Sequence, residues 1–226
     1  MSSRSREPLV LLGLALAALV VSGIGPRDRG TWWLEVFPVI VAAPLLVLTA
    51  RRFPLTPLVY RLLFVHALIL VLGGHYTYAE VPLGFWVRDW LGLERNHYDR
   101  LGHVAQGFVP AMVAREVIVR VAMQPRADGG LRRGWLGFVV TCVVLAISAC
   151  YELLEWWSAL LFGAGAEAFL GTQGDEWDTQ WDMFLALCGA IAAQLLLARR
   201  HDRELAAVPV SPRRPDDDRP DAKEVP

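Results

Sequence analysis

GWLGFVVTCVVLAISACYELLEWWSALLF, Gly134 to Phe162, decides the fold class. No charged residue occurs from Gly134 to Tyr151; two glutamates, Glu152 and Glu155, then precede Trp156 and Trp157. About 20 apolar residues cross the hydrocarbon core of a bilayer. This run exceeds that length, so the helix it forms must tilt or end early.

Five further stretches read the same way: Pro8 to Ile24, Leu34 to Ala50, Leu58 to Tyr78, Asp99 to Val121 and Trp177 to Ala198. The one from Asp99 is the most polar, since it carries His103, Gln106, Arg115 and Glu116. No period-two pattern recurs, which argues against a membrane β-barrel. The expectation is an all-α polytopic membrane protein: a six-helix transmembrane domain over residues 1–200, and a disordered, Pro-rich charged tail over 201–226. Residues 82–93 are too short and mixed to span, and with Phe85, Trp86, Trp90 and Leu91 they suit an interfacial helix. Arg4 and Arg6 before Leu9 to Val21 also resemble a signal peptide, but Val20 to Gly23 is only a fair cleavage site, so an uncleaved first helix is expected.

Composition agrees. Of 226 residues 54% are hydrophobic and 20% charged, net charge is -1 and mean hydropathy is +0.37. Nucleic acid is excluded as a partner, because no basic face with interleaved aromatics occurs. Cys142, Cys150 and Cys188 lie in apolar runs without CxxC spacing, so they form no disulfide framework or zinc site and are expected as small buried hydrophobes.

Lys and Arg set the orientation. With the N-terminus inside, 16 of the 22 fall on the inner side and 5 on the outer, with Arg115 inside a span. Both termini are therefore expected in the cytoplasm, with the chain multi-pass in the bacterial inner (plasma) membrane. Eight of nine Trp then fall at the outer level, as an interfacial belt or as the lining of an outer vestibule.

Ionisable side chains inside a bilayer are costly and mark function by default. That topology, set without using them, puts them at one depth: His75, Asp99, His103, Glu152, Glu155, Asp175, Asp178 and Asp182 all lie toward the outer side. Asp99 and His103 are spaced i,i+4 with Gln106 three further on. Glu152 and Glu155 are i,i+3, and Asp178 and Asp182 are i,i+4. Residues so spaced share a helix face. Asp175 reads as a helix cap, His66 as a satisfied core histidine, and Arg115 and Glu116 as structural partners of other helices. Five carboxylates packed beside two histidines cannot all ionise unaided. Either a divalent metal (zinc, manganese or iron) neutralises them, or some stay protonated and carry protons. On the metal reading Asp99, His103, Asp178 and Asp182 are ligands and Glu155 and Glu152 the catalytic carboxylates, while His75, Gln106, Trp156 and Trp181 contact substrate.

Tyr98 to His103, Glu152 to Glu155 and Gly171 to Met183 resemble the YjdF-type inner-membrane proteins, a bacterial family of unknown function; the likeness covers roughly Trp32 to Leu197. More distantly, Asp99 with His103, Glu152, and Asp178 or Asp182 are similar to the three helix elements of VanZ-like membrane proteins. Those are associated with teicoplanin resistance, which implies a role in the cell envelope. Three classes stay open: a metal-dependent hydrolase or transferase on an envelope lipid or lipid-linked group; a lipid or small-solute translocator that couples to protons or cations; and a non-catalytic envelope factor. Six spans without a repeat make a small unit for a translocator, so a homo-oligomer is expected for that class.

Overall fold

A computed structural model describes residues 6–122, 133–162 and 167–208. Its helices are α1 (Glu7–Ser22), α2 (Arg29–Thr49), α3 (Pro57–Tyr76), α4 (Pro82–Leu91), α5 (Tyr98–Ala122), α6 (Arg133–Phe162), α7 (Glu167–Leu170) and α8 (Asp178–Leu205), with a 3₁₀ turn at Tyr78–Glu80. No strand occurs among the described residues. Each of the six apolar stretches forms a long helix. α2, α3, α6 and α8 are long and apolar enough to cross a membrane. α5 has 25 residues but a polar face, and α1 has only 16. The protein is an all-helical polytopic membrane protein.

Local chemistry sets the boundaries. Asp28 caps α2 by accepting from the Thr31 amide at 2.6 Å. Thr56 caps α3 just ahead of Pro57, whose missing N–H costs nothing in a first turn. α4 begins at Pro82 and ends at Gly92, which is left-handed with φ 67°. Thr77 also has a positive φ, 61°, which is strained for a β-branched residue. That turn sends the Tyr78 ring back between α3 and α5, against Gly73 and Gly102.

α5 stands at the centre of the bundle, packed by α3, α6 and α8. Its tightest neighbour is α8, which runs parallel to it. A Cβ added at Gly107 would lie 2.0 Å from the Ala186 carbonyl oxygen, and one at Gly189 would lie 2.2 Å from that of Val104. The two backbones are in contact, the arrangement small residues allow where no hydrophobic effect drives helices together. α1 and α2 pack on α3.

Outside this core the bundle surface is apolar. Leu48, Trp90, Leu161 and Leu195 are each more than 75% exposed, as expected of a lipid-facing surface. The three cysteines are exposed on it, not buried as their apolar surroundings suggested. In a membrane bundle an apolar run says only that a residue avoids water.

The ends of α5 and α8 away from Asp99 are locked by a second polar cluster. The Glu116 carboxylate is fully buried and accepts from the Thr56 amide (3.0 and 3.2 Å), the Thr56 hydroxyl (2.8 Å), His201 Nε2 (3.0 Å) and Arg120 (3.1 Å). Arg115 lies 2.8 Å from His201 Nδ1 and 2.7 Å from Asp202. A guanidinium only donates, so His201 Nδ1 accepts and the proton sits on Nε2. This cluster is hydrogen-bonded throughout, the structural pairing expected of Arg115 and Glu116. It also moves the domain boundary: α8 continues to Leu205, and His201 is wholly buried, where composition placed a tail from residue 201. The rest of that tail, from residue 209, lies outside the described residues.

Candidate functional site

Three helix segments converge at the other end of the bundle. α5 brings Asp99, His103 and Gln106 from its first turns, α8 brings Asp182 from its second, and α6 brings Glu152 and Glu155. All but Gln106 are buried. His103 is the hub. Its Nε2 lies 3.5 Å from Asp99 Oδ1 and 3.7 Å from Asp182 Oδ2, and its Nδ1 lies 3.9 Å from Glu152 Oε1. Ligand-type atoms of Asp99, His103 and Asp182 lie within 4.8 Å of one another, as do those of His103, Glu152 and Glu155.

The hydrogen bonds fix the imidazole. Nδ1 is 3.1 Å from Gln106 Oε1, and an amide oxygen only accepts, so Nδ1 carries the proton. Nε2, which bears a lone pair when the ring is neutral, faces Asp99 and Asp182. A second partner on the far nitrogen is the usual way a ligating histidine is oriented.

The carboxylates are starved of donors. Asp99 Oδ2, Asp182 Oδ1 and both oxygens of Glu152 are buried without a hydrogen-bond partner. Buried polar atoms are nearly always paired, and uncompensated buried charge is far costlier than an unpaired neutral group. Four such oxygens around one imidazole are what a cation-binding site presents.

A cavity of about 140 Å³ opens beneath this layer. Asp99, His103, Gln106 and Glu155 face it, together with three residues whose part the sequence did not reveal: Glu35, His66 and Tyr151. Glu35, from α2, is 4% exposed and accepts from the Tyr151 hydroxyl at 3.2 Å. The available signal was a lone carboxylate two turns into an apolar helix. His66 is not the satisfied core histidine expected: its Nε2 is buried without a partner and the residue lines the cavity.

The remaining candidates lie elsewhere. Asp178 pairs with Arg95 at 3.0 Å and is not among the groups whose ligand-type atoms lie within 4.8 Å of one another around His103. His75 Nδ1 contacts the Ser22 carbonyl at 2.9 Å, tying α3 to the end of α1 and leaving the cavity to others. Trp156 and Trp181 are 55% and 45% exposed, on the outside of the bundle. Of the eight Trp at this level only Trp32 is buried, donating to Ser22 Oγ. The others are exposed, and Trp177 and Trp181 line an open pocket with Gln180 and Phe184. Asp175 is no helix cap proper. It accepts from the Trp177 amide just ahead of α8, and binds Arg95 (3.3 Å) and Arg100 (2.8 Å).

These ion pairs cover the cluster. Arg95 and Arg100 join the segment before α5 to the segment before α8. Gln173 and the Asn96 backbone exchange two hydrogen bonds beside them, at 2.8 and 3.2 Å. Gly171, with φ 62°, lies close over Asp99.

Comparison with known proteins identifies the family. A family model described as "Predicted membrane protein (DUF2238)" matches residues 7–203, which include both polar clusters. Inner membrane protein YjdF of Escherichia coli (strain K12) is 56% identical over 206 residues, covering 90% of this chain and 96% of that protein. No solved structure matches. The chain belongs to the YjdF-type, DUF2238 family of membrane proteins.

Proposed function

We propose that this protein is a metal-dependent hydrolase or transferase of the inner membrane. Asp99, His103 Nε2 and Asp182 hold a divalent ion, and Glu152 and Glu155 stand on the opposite side of the imidazole. Carboxylates with a single imidazole suit zinc, manganese or iron. Bound there, such an ion would supply Lewis-acid polarisation of a phosphoryl or acyl oxygen and a more acidic water. Glu155, which faces the cavity with Asp99 and His103, would serve as general base toward a substrate group held there, and Glu152 completes the negative layer. The observation that carries this reading is the convergence of Asp99, His103 and Asp182, whose ligand-type atoms lie within 4.8 Å of one another while Asp99 Oδ2 and Asp182 Oδ1 are buried without a partner.

A translocator using the same carboxylates has less support. Below the cavity lies a layer of fully buried apolar residues, including Ala111, Met112, Val140 and Val144. Beyond it the Glu116 cluster is saturated with partners, and within the layer the Gln194–Thr141 hydrogen bond is likewise satisfied. We also propose that both termini are cytoplasmic and that the His103 cluster faces outward, as the distribution of Lys and Arg suggests. Alkaline phosphatase fused after Gly165 is then active, and after Gly130 inactive.

Elemental analysis tests the metal. Protein purified without a polyhistidine tag, from cells supplied with zinc, manganese and iron, is expected to hold one of them stoichiometrically, and His103→Ala to hold none. Absence from the wild type sinks the metal reading.

A further inference from the structure

We infer that the cavity receives the hydrocarbon chain of a membrane lipid sideways, between α2 and α6, so that the substrate class of the His103 site is an amphiphile taken from the bilayer. This deepens the metal-centre reading and rests on it.

The lining of the cavity is graded. Asp99, His103 and Glu155 occupy one end and Pro110 and Ile147 the other, where His66, one turn deeper on α3 than Leu70, adds a single imidazole; Pro38 and Leu70 line the side. Pro110 is seven residues beyond His103, and Ile147 five residues before Glu152. At about 1.5 Å per residue the apolar part reaches roughly 7–10 Å deeper into the membrane than the charged layer. A polar head above an apolar shaft of that depth matches a lipid, whose reactive group lies at the level of the carboxylates and whose chain lies below. A fully polar solute would leave the shaft unfilled.

The wall also reaches the lipid-facing surface. Ile147 lines the cavity and is 42% exposed on the outside of α6. Pro38 and Leu70 line it from α2 and α3 and are half-buried. α2 packs on α3 and α7, and α6 on α5, α7 and α8, so α7 bridges α2 and α6 at the level of Tyr151 and the route lies below it. The hydrogen bond that joins α2 to α6 is the one from Tyr151 to Glu35. Pro38 and Pro110 add to the opening, since neither can donate to the carbonyl four residues earlier, at Leu34 and Gln106.

The aqueous end, by contrast, is shut. A solute arriving from water meets the Arg95–Asp175, Arg95–Asp178 and Arg100–Asp175 pairs and the paired Asn96 and Gln173. Entry by that route breaks several charge-assisted bonds at once. Entry from the bilayer breaks none of them.

Photocrosslinking tests the route. The full chain is placed in nanodiscs of phosphatidylethanolamine and phosphatidylglycerol, doped with a phospholipid bearing an alkyl diazirine on the first carbons of its acyl chain, next to the head group. On illumination the diazirine loses dinitrogen and inserts into the nearest O–H or C–H bond, and the adducts are mapped by peptide mass spectrometry. Adducts are expected on Glu35 and Glu155, both buried in the bundle. Ile147→Trp, which fills the shaft, is expected to lose them, and Ile147→Val to keep them, while adducts on lipid-facing Leu153 and Leu154 persist in both. Wild-type adducts confined to Leu153 and Leu154 overturn the inference, whatever the variants do. So does an Ile147→Trp protein that keeps its adducts on Glu35 and Glu155. Elemental analysis of the same sample separates the two claims: bound metal without Glu35 or Glu155 adducts defeats the lipid route alone, and adducts without metal defeat the metal centre alone.

Discussion

Gln106 accepts a hydrogen bond from Nδ1 of His103 at 3.1 Å, from one turn further along α5. That contact decides which nitrogen of the only imidazole in the charged layer is free, and so which pair of carboxylates can share an ion with it. Gln106→Leu removes the acceptor without adding charge. Losing a second partner of this kind typically costs 10–100-fold in metal affinity. Chelator competition on the purified protein should show a loss in that range for Gln106→Leu, against complete loss for His103→Ala.

The backbone contact between α5 and α8 leaves no room for a side chain. In Gly107→Val a β-carbon would stand about 2.0 Å from the Ala186 carbonyl oxygen, so the helices must separate. Asp182 rides on α8 and His103 on α5, so separation also opens the ligand set. Overpacking of this kind costs about 1–3 kcal/mol or more. A lower unfolding midpoint in detergent together with lost metal is the expected result. Gly13→Val on α1, where nothing lies within 4 Å, should change neither.

Glu116 sits at the far end of the same two helices. Glu116→Ala leaves the Thr56 amide and hydroxyl, His201 and Arg120 without their common acceptor. Removing one member of a buried charged network costs about 3–5 kcal/mol. Denaturant titration should register that loss, and a wild-type midpoint in Glu116→Ala would show the cluster to be dispensable.

Asp28 gives a pH dependence of known sign. The Thr31 amide donating to its carboxylate holds its pKa below the usual value. A group with a depressed pKa adds stability that is present above its unfolded pKa, about 3.9, and is lost as pH falls through the folded value. Asp28→Asn keeps a capping side chain but cannot titrate, so its stability relative to wild type should rise as pH drops below about 4. Asp28→Ala should cost about 1 kcal/mol at pH 7. Thermal unfolding followed from pH 7 to pH 3 checks both.

The helices were legible because membrane length is written in composition: from Gly134 to Tyr151 no other reading suits so long an uncharged run. The α5 part of the site was legible too, since Asp99, His103 and Gln106 have helical spacing and converge as that spacing implies. Spacing failed for Asp178. It shares a face with Asp182, but it pairs with Arg95, 83 residues earlier, and pairing over that distance leaves no local mark. Glu35 escaped because a single acid beside Trp32 and Trp33 resembles an interfacial residue until Tyr151 is seen opposite. His201 was read as tail because Arg199, Arg200, Asp202 and Arg203 surround it. Only the fold reveals that one face of that charged stretch meets Glu116.

The Glu116 latch draws on three distant parts of the chain: Thr56, Glu116 and His201, separated by 60 and 85 residues. A nascent protein threaded into the membrane helix by helix has made Asp99, His103, Glu152 and Glu155 well before His201 leaves the ribosome. α8, which delivers Asp182, is therefore pinned at its far end only once synthesis has passed residue 201. Maturation of the His103 centre becomes a late event in biogenesis, and a chain cut short before residue 201 inserts its spans without a secured site.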